Sequence, residues 1–198
     1  MNVGLTGGIA CGKSTVAGML VRRGALSIDL DQIAREVVLP GSPVLARVVD
    51  CFGQGILNED GSLNRKALGE IVFNDPNARK KLESIMHPPI RALMKERMAA
   101  LEQAHPDRLV VVEVPLLYES GLQAMFDEVM VVYVPRDMQL ARLRDREGLS
   151  PEQAEKRLNA QLPIEDKKKW ADVVIDNSGT LEQTERQVDE YWKRKGLK

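Results

Sequence analysis

Near the amino terminus, Gly7-Gly8-Ile9-Ala10-Cys11-Gly12-Lys13-Ser14-Thr15 combines glycines, a lysine and a hydroxyl at the spacing G-x-x-x-x-G-K-[ST]. That is the phosphate-cradling loop called Walker A or P-loop. Glycines let backbone N–H groups converge on phosphate oxygens, and the helix that follows offers its positive dipole end. Gly8, Ala10, Cys11, Gly12, Lys13, Ser14 and Thr15 are the expected nucleotide contacts. Lys13 places a point charge at the β and γ phosphates, and the Ser14 hydroxyl is suited to Mg²⁺. The flanks agree: Asn2-Val3-Gly4-Leu5-Thr6 reads as a buried strand, and Gly12 to Arg23 as a helix carrying Val16, Met19 and Leu20.

A phosphoryl transfer to a hydroxyl also needs a carboxylate at the acceptor and cations on the transferred group. Asp29 and Asp31 follow the second predicted strand, and spacing does not separate them. Asp31 also reads as a cap for a helix from Gln32. Arg142 and Arg146 share a helix face, with Arg136 nearby. Glu113 ends a strand, where a buried carboxylate calls for a metal-bound water or a lysine as partner. His87 has no second ligand placed for a metal. Cys11 sits at a helix start, where a thiol pKa can fall, but phosphate cradling needs only its backbone.

The elements that must hold these residues alternate. Further apolar, β-branched runs are Ala25–Ile28, Leu109–Val114, Val129–Val134 and Asp172–Asp176. Separated by helical patterns, they predict a three-layer α/β fold around a five-stranded parallel sheet, with ligands at the strands' carboxyl ends. Roughly eighty mostly helical residues separate the second and third strands, far more than a crossover needs. Residues 37–104 therefore read as a helical insertion, with breaks at Asn74-Asp75-Pro76 and at His87-Pro88-Pro89. Residues 1–36 and 105–198 form the nucleotide-binding core. Asp137 to Trp170 is highly charged and reads as two helices split at Gly148-Leu149-Ser150-Pro151, a hairpin with little apolar surface that can move. Leu181 to Trp192 is a terminal helix, and Lys193-Arg194-Lys195 a solvated tail.

With 198 residues, 43% of them hydrophobic, the chain can bury a core as one domain. A net charge of −1 argues against general nucleic-acid binding. No apolar run reaches membrane-spanning length, and two cysteines make no disulfide framework. A cytoplasmic monomer is expected. The guanine-reading N-K-x-D is absent, and the D-x-x-G at Asp176–Gly179 lies far from the loop, so a GTPase-like switch is set aside.

Taken together, LTGGIACGKST (Leu5–Thr15), IDLDQIAR (Ile28–Arg35), DGSLNRKAL (Asp60–Leu68), His87-Pro88, VPLLYE (Val114–Glu119), QLARLRDR (Gln139–Arg146), Gln161, Lys167 and IDNSG (Ile175–Gly179) resemble the dephospho-coenzyme A kinases over essentially the whole chain. The resemblance implies transfer of the ATP γ-phosphate, with Mg²⁺, to the ribose 3′-hydroxyl of dephospho-CoA, and a likeness to nucleoside monophosphate kinases in fold, with residues 37–104 as the acceptor-binding insertion and 137–166 as the lid. It implies Asp31 as base, Lys13 and Arg142 at the transferred group, and Arg146 and Asn177 on the ATP side. Arg65, His87, Pro115 and Leu116 fall on the acceptor side, and Glu113 on the metal through water. Ala10 and Cys11 stand where the family usually has glycine and serine; if position 10 needs φ > 0, alanine costs about 1 kcal/mol there. The rival reading is another P-loop small-molecule or nucleoside monophosphate kinase.

Overall fold

The structure is a computed structural model and describes residues 1–197. Five strands form one sheet: β1 (Asn2–Gly7), β2 (Leu26–Asp29), β3 (Val110–Glu113), β4 (Glu128–Tyr133) and β5 (Val173–Asp176). Their order is β2-β3-β1-β4-β5, and β1 runs parallel to both β3 and β4, as β5 does to β4. Every residue of β1 is buried, which is why its sequence shows no in-out alternation. Helix α1 (Lys13–Arg22) carries the chain from β1 to one edge, whereas the segment after β4 carries it to the other. Neighbouring strands whose chains leave in opposite directions open a crevice at their carboxyl ends. The glycine loop lies at that point.

The chain divides into two compact units, Met1–Ile28 with the part from Met98 onward, and Asp29–Arg97. The second unit contains α2 (Leu30–Glu36), α3 (Pro43–Phe52), a 3₁₀ turn at Gln54–Ile56, α4 (Arg65–Asn74) and most of α5 (Pro76–Ala104). Val48, Ile56, Leu68 and Ile85 form its buried core, with Phe52, Leu63, Val72 and Leu82 packed around them.

The break expected at His87-Pro88-Pro89 does not occur, because α5 runs straight through both prolines. An interior proline removes a hydrogen bond and costs about 3 kcal/mol. Against that, Ala78 and Ile85 are buried before the pair, and Ile90, Met94 and Met98 after it. Each large apolar side chain so buried returns about 1.5–3 kcal/mol, which outweighs the local penalty.

In the first unit, Asp137 to Trp170 holds three helices and not two: α6 (Arg136–Glu147), α7 (Pro151–Asn159) and α8 (Ile164–Trp170). Ser150 and Gln153 form the capping box that starts α7. In α8, Glu165 and Asp166 occupy the first turn and Lys167, Lys168 and Lys169 the last, matching the helix dipole. The carboxy-terminal helix α9 (Leu181–Arg194) begins at a second capping box, Thr180 and Gln183, and buries Val188, Tyr191 and Trp192. The expected solvated tail is a correction: Lys193 and Arg194 belong to α9, and Lys195 is ion-paired with Glu128 at the start of β4.

Arg23 ties the end of α1 to α9, reaching Asp189 at 2.7 Å and Glu185 at 3.2 Å. Its hydrogen bond holds the Asp189 carboxyl below the usual range. A depressed folded-state pKa contributes stability above the ordinary aspartate value and loses it as pH falls through the depressed one. Asp189→Asn is therefore expected to melt below the unmodified protein at neutral pH, with the gap closing below about pH 4. Thermal melts across pH read this directly.

Candidate active site

The loop between β1 and α1 is shaped by two left-handed residues, Ala10 at φ 62° and Gly12 at φ 84°. Gly12 caps α1 without any side-chain hydrogen bond to the first turn. Cys11 N–H donates to the Gly8 carbonyl, and both Thr15 and Val16 N–H donate to the Gly12 carbonyl. The amides of Ala10, Gly12, Lys13 and Ser14 have no acceptor among the described residues. Unspent amides at a helix start make an anion nest. This is a phosphate site built from backbone.

Ala10 is the only non-glycine with positive φ among the described residues. Alanine in that region costs about 1–2 kcal/mol. Glycine would relieve this but loosen the unfolded chain by about 0.4–1 kcal/mol. Ala10→Gly is thus expected to raise stability in urea denaturation by up to about 1.6 kcal/mol.

Lys13 Nζ meets Glu113 Oε2 at 2.5 Å. Glu113 closes β3, opposite Leu5 of β1, so the register of two adjacent strands sets this pair. Of the partners considered for Glu113, a lysine is the one present; Ser27 Oγ lies 3.5 Å from its other oxygen. The Ser14 hydroxyl is exposed at the start of α1. A hydroxyl adjacent in sequence to Lys13, whose partner is the Glu113 carboxylate, offers oxygen donors only, which fits a Mg²⁺ that keeps most of its waters.

Asn177, one residue past β5, is buried. Its Nδ2 donates to the Cys11 carbonyl at 2.8 Å, and its Oδ1 accepts from Thr184 Oγ1 at 2.9 Å. The amide fills the space beside Gly12, where a Cβ would collide with it. Arg142, on α6, donates to the Asn177 carbonyl at 2.9 Å. Arg146 lies apart from this group, exposed and paired with Glu147 at 2.7 Å. The Cys11 thiol is buried, and burial raises its pKa, opposite to the lowering that a helix start alone would give.

Residues outside those singled out for the site complete the support of the loop. Gln139 Nε2 donates to the Ile9 carbonyl at 2.9 Å, and Gln161 Oε1 accepts from Ile9 N–H at 2.9 Å. Lys167 is fully buried, 2.7 Å from Glu119 Oε1 and 3.4 Å from the Gly7 carbonyl. A buried lysine needs such a partner, because removing one member of a buried pair costs about 3–5 kcal/mol. Gln161 and Lys167 were visible only as parts of the family pattern.

In the second unit, Asp29 is the N-cap of α2, its Oδ1 accepting from Asp31 N–H at 2.8 Å. The capping role considered for Asp31 therefore falls to Asp29. Asp31 is exposed in the first turn, and its carboxylate has no partner among the described residues. Arg65 is exposed at the first position of α4, after the N-cap Asn64. His87 lines an open groove along α5 with Lys80, Glu83, Ser84, Pro88 and Arg91. In the first unit, the half-buried Pro115 accepts from Thr6 Oγ1 through its carbonyl at 3.3 Å, and Leu116 is exposed.

A parallel sheet whose central strand runs into an amide nest, with Lys13 at the nest and an arginine-bearing helix beside it, defines a P-loop kinase. The family can be stated more narrowly. The family model for dephospho-CoA kinase matches residues 1–183, and the chain belongs to that family. The dephospho-CoA kinase of Geobacter sulfurreducens is 50% identical over 193 residues, 98% of each chain. Among solved structures, the dephospho-CoA kinase from Campylobacter jejuni superposes with a TM-score of 0.77 at 35% identity, covering 98% of both chains. TT1252 from Thermus thermophilus gives 0.81 at 36% identity, covering 98% of this chain and 97% of its own.

Proposed function

We propose that the chain transfers the γ-phosphate of ATP to the ribose 3′-hydroxyl of dephospho-CoA, giving CoA and ADP, the last step of coenzyme A synthesis. The observation that carries this reading is the family match across residues 1–183, with Lys13 and the unspent amides in place at the loop.

The amides of Ala10, Gly12, Lys13 and Ser14 bind the phosphates, and the dipole of α1 adds to their field. Lys13 exchanges Glu113 for the β and γ phosphates when ATP arrives. Arg142 swings from the Asn177 carbonyl to the transferring group, where charge is spread over three oxygens. Asp31 accepts the proton of the attacking hydroxyl, a role that suits an exposed and uncommitted carboxylate. Ser14, and Glu113 through water, would hold Mg²⁺, which when bound neutralises charge on the β and γ oxygens. Asn177 orders the ATP side by fixing Cys11, and Arg146, one turn beyond Arg142, is a further contact for ATP. Arg65, His87, Pro115 and Leu116 serve the acceptor. Residues 37–104 act as its binding insertion, and 137–166 as the lid.

Steady-state turnover with ATP–Mg²⁺ and a panel of dephospho-CoA, AMP, CMP, pantothenate and shikimate tests the reading. Dephospho-CoA is expected to give the highest kcat/KM. Faster turnover of AMP would overturn it in favour of a nucleoside monophosphate kinase.

A further inference from the structure

Ile9 has both faces of its main chain held by side chains from beyond β4. Gln161 accepts its N–H and Gln139 donates to its carbonyl, each at 2.9 Å. Gln139 is buried on α6 and also reaches Cys11 Sγ at 3.3 Å. Its amide occupies the space beside Gly8, so a Cβ there would collide with it. Gln161 is anchored in turn: Leu162 N–H donates to Glu119 Oε1 at 3.0 Å, and that oxygen is also the partner of the buried Lys167.

The next residue is Ala10, at φ 62°. Left-handed backbone is disfavoured for alanine, and such a conformation persists only where its surroundings over-determine it. The loop's own hydrogen bond, Cys11 N–H to the Gly8 carbonyl, closes a turn with Ile9 and Ala10 at its centre but leaves the N–H and carbonyl of Ile9 without a main-chain partner among the described residues. The glutamine pair takes both of those groups.

We propose that Gln139 and Gln161 are positioning residues for the ATP phosphates: by fixing Ile9 they keep Ala10 left-handed, so that the amides of Ala10, Gly12, Lys13 and Ser14 face one anion. The inference rests on the reading of ATP as phosphate donor. It also links two parts of the reaction, since Gln139 and Arg142 lie three residues apart on one face of α6. The helix that presents the arginine is the helix that shapes the nest.

A double-mutant cycle between Gln161 and Ala10 tests this. Gln161→Met keeps the length of the side chain and removes the acceptor. Titration calorimetry with ATP is expected to show affinity about 5–10-fold weaker, the scale of one lost hydrogen bond. The KM for dephospho-CoA should stay unchanged, and the melting temperature should fall by only about 2–4 °C, as one lost hydrogen bond predicts. In an Ala10→Gly background, where left-handed backbone is free of strain, the same substitution is expected to weaken ATP by less than about twofold. Equal losses in both backgrounds would overturn the proposal, as would unaltered ATP affinity in Gln161→Met. Because Gln139 is buried, Gln139→Leu in the same two backgrounds is a second cycle, read after its melt confirms a folded protein. Failure of the unmodified protein to bind ATP would take down the proposed function itself; binding with additive losses would take down only the positioning role.

Discussion

Asp31→Asn is expected to lower kcat by about 10²-fold or more while leaving ATP affinity nearly unchanged, the signature of a lost general base. Asparagine preserves the size of the side chain and its place in the first turn of α2. It cannot accept a proton from the acceptor hydroxyl. The structure supplies a control. Asp29 does the capping, through its contact with Asp31 N–H, and asparagine caps about as well as aspartate. Asp29→Asn should therefore fold and turn over almost normally. Rapid-quench single turnovers, with ATP binding measured separately, distinguish the two carboxylates. Near-normal chemistry in Asp31→Asn, or an equal loss in Asp29→Asn, would reassign the base.

The second large effect is expected at Arg142. Truncation to alanine should slow the chemical step by about 10²–10³-fold, the usual consequence of losing a donor to developing transition-state charge. ATP affinity should change far less. The complication is that Arg142 also donates to the Asn177 carbonyl, and Asn177 holds Cys11. If the arginine acted only through that chain, ATP binding would weaken along with turnover. A change confined to KM for ATP would thus place Arg142 in binding and remove it from the chemistry. Arg142→Lys sharpens the distinction: it keeps the charge but not the planar fork, so intermediate turnover is expected.

Part of this is legible in the sequence alone. Strand, loop and helix around Lys13 are local in sequence, and the β-branched runs of β3 and β4 announce central strands without knowledge of their neighbours. Ala10 could be flagged by its type, but its backbone angle could not. Spacing alone leaves the Asp29–Asp31 pair ambiguous, and only the family pattern favours Asp31, because capping depends on where the helix begins and the two positions differ by only half a turn. The proline pair of α5 misled because the local penalty is visible in sequence and the opposing burial is not. Least legible were Gln139, Gln161 and Lys167. Their partners in the loop lie 130, 152 and 160 positions away, and neither an amide nor a lysine in a charged stretch produces a periodic signal. Lys167 lies in a run of three lysines that reads as solvent-facing, yet it is fully buried.

The closeness of Asn177 to Gly12 has a consequence for synthesis. The ribosome releases the whole glycine motif well before the strands that flank β1 and the amide that packs on Gly12. Contacts of such long sequence separation are paid for in loop entropy before they return anything, which slows folding. A nascent chain halted before Ile175 would thus carry every residue of the motif and lack both Asn177 and Thr184. The motif at Gly7–Thr15 gains the side chain that packs on it only after about 160 further residues have been made.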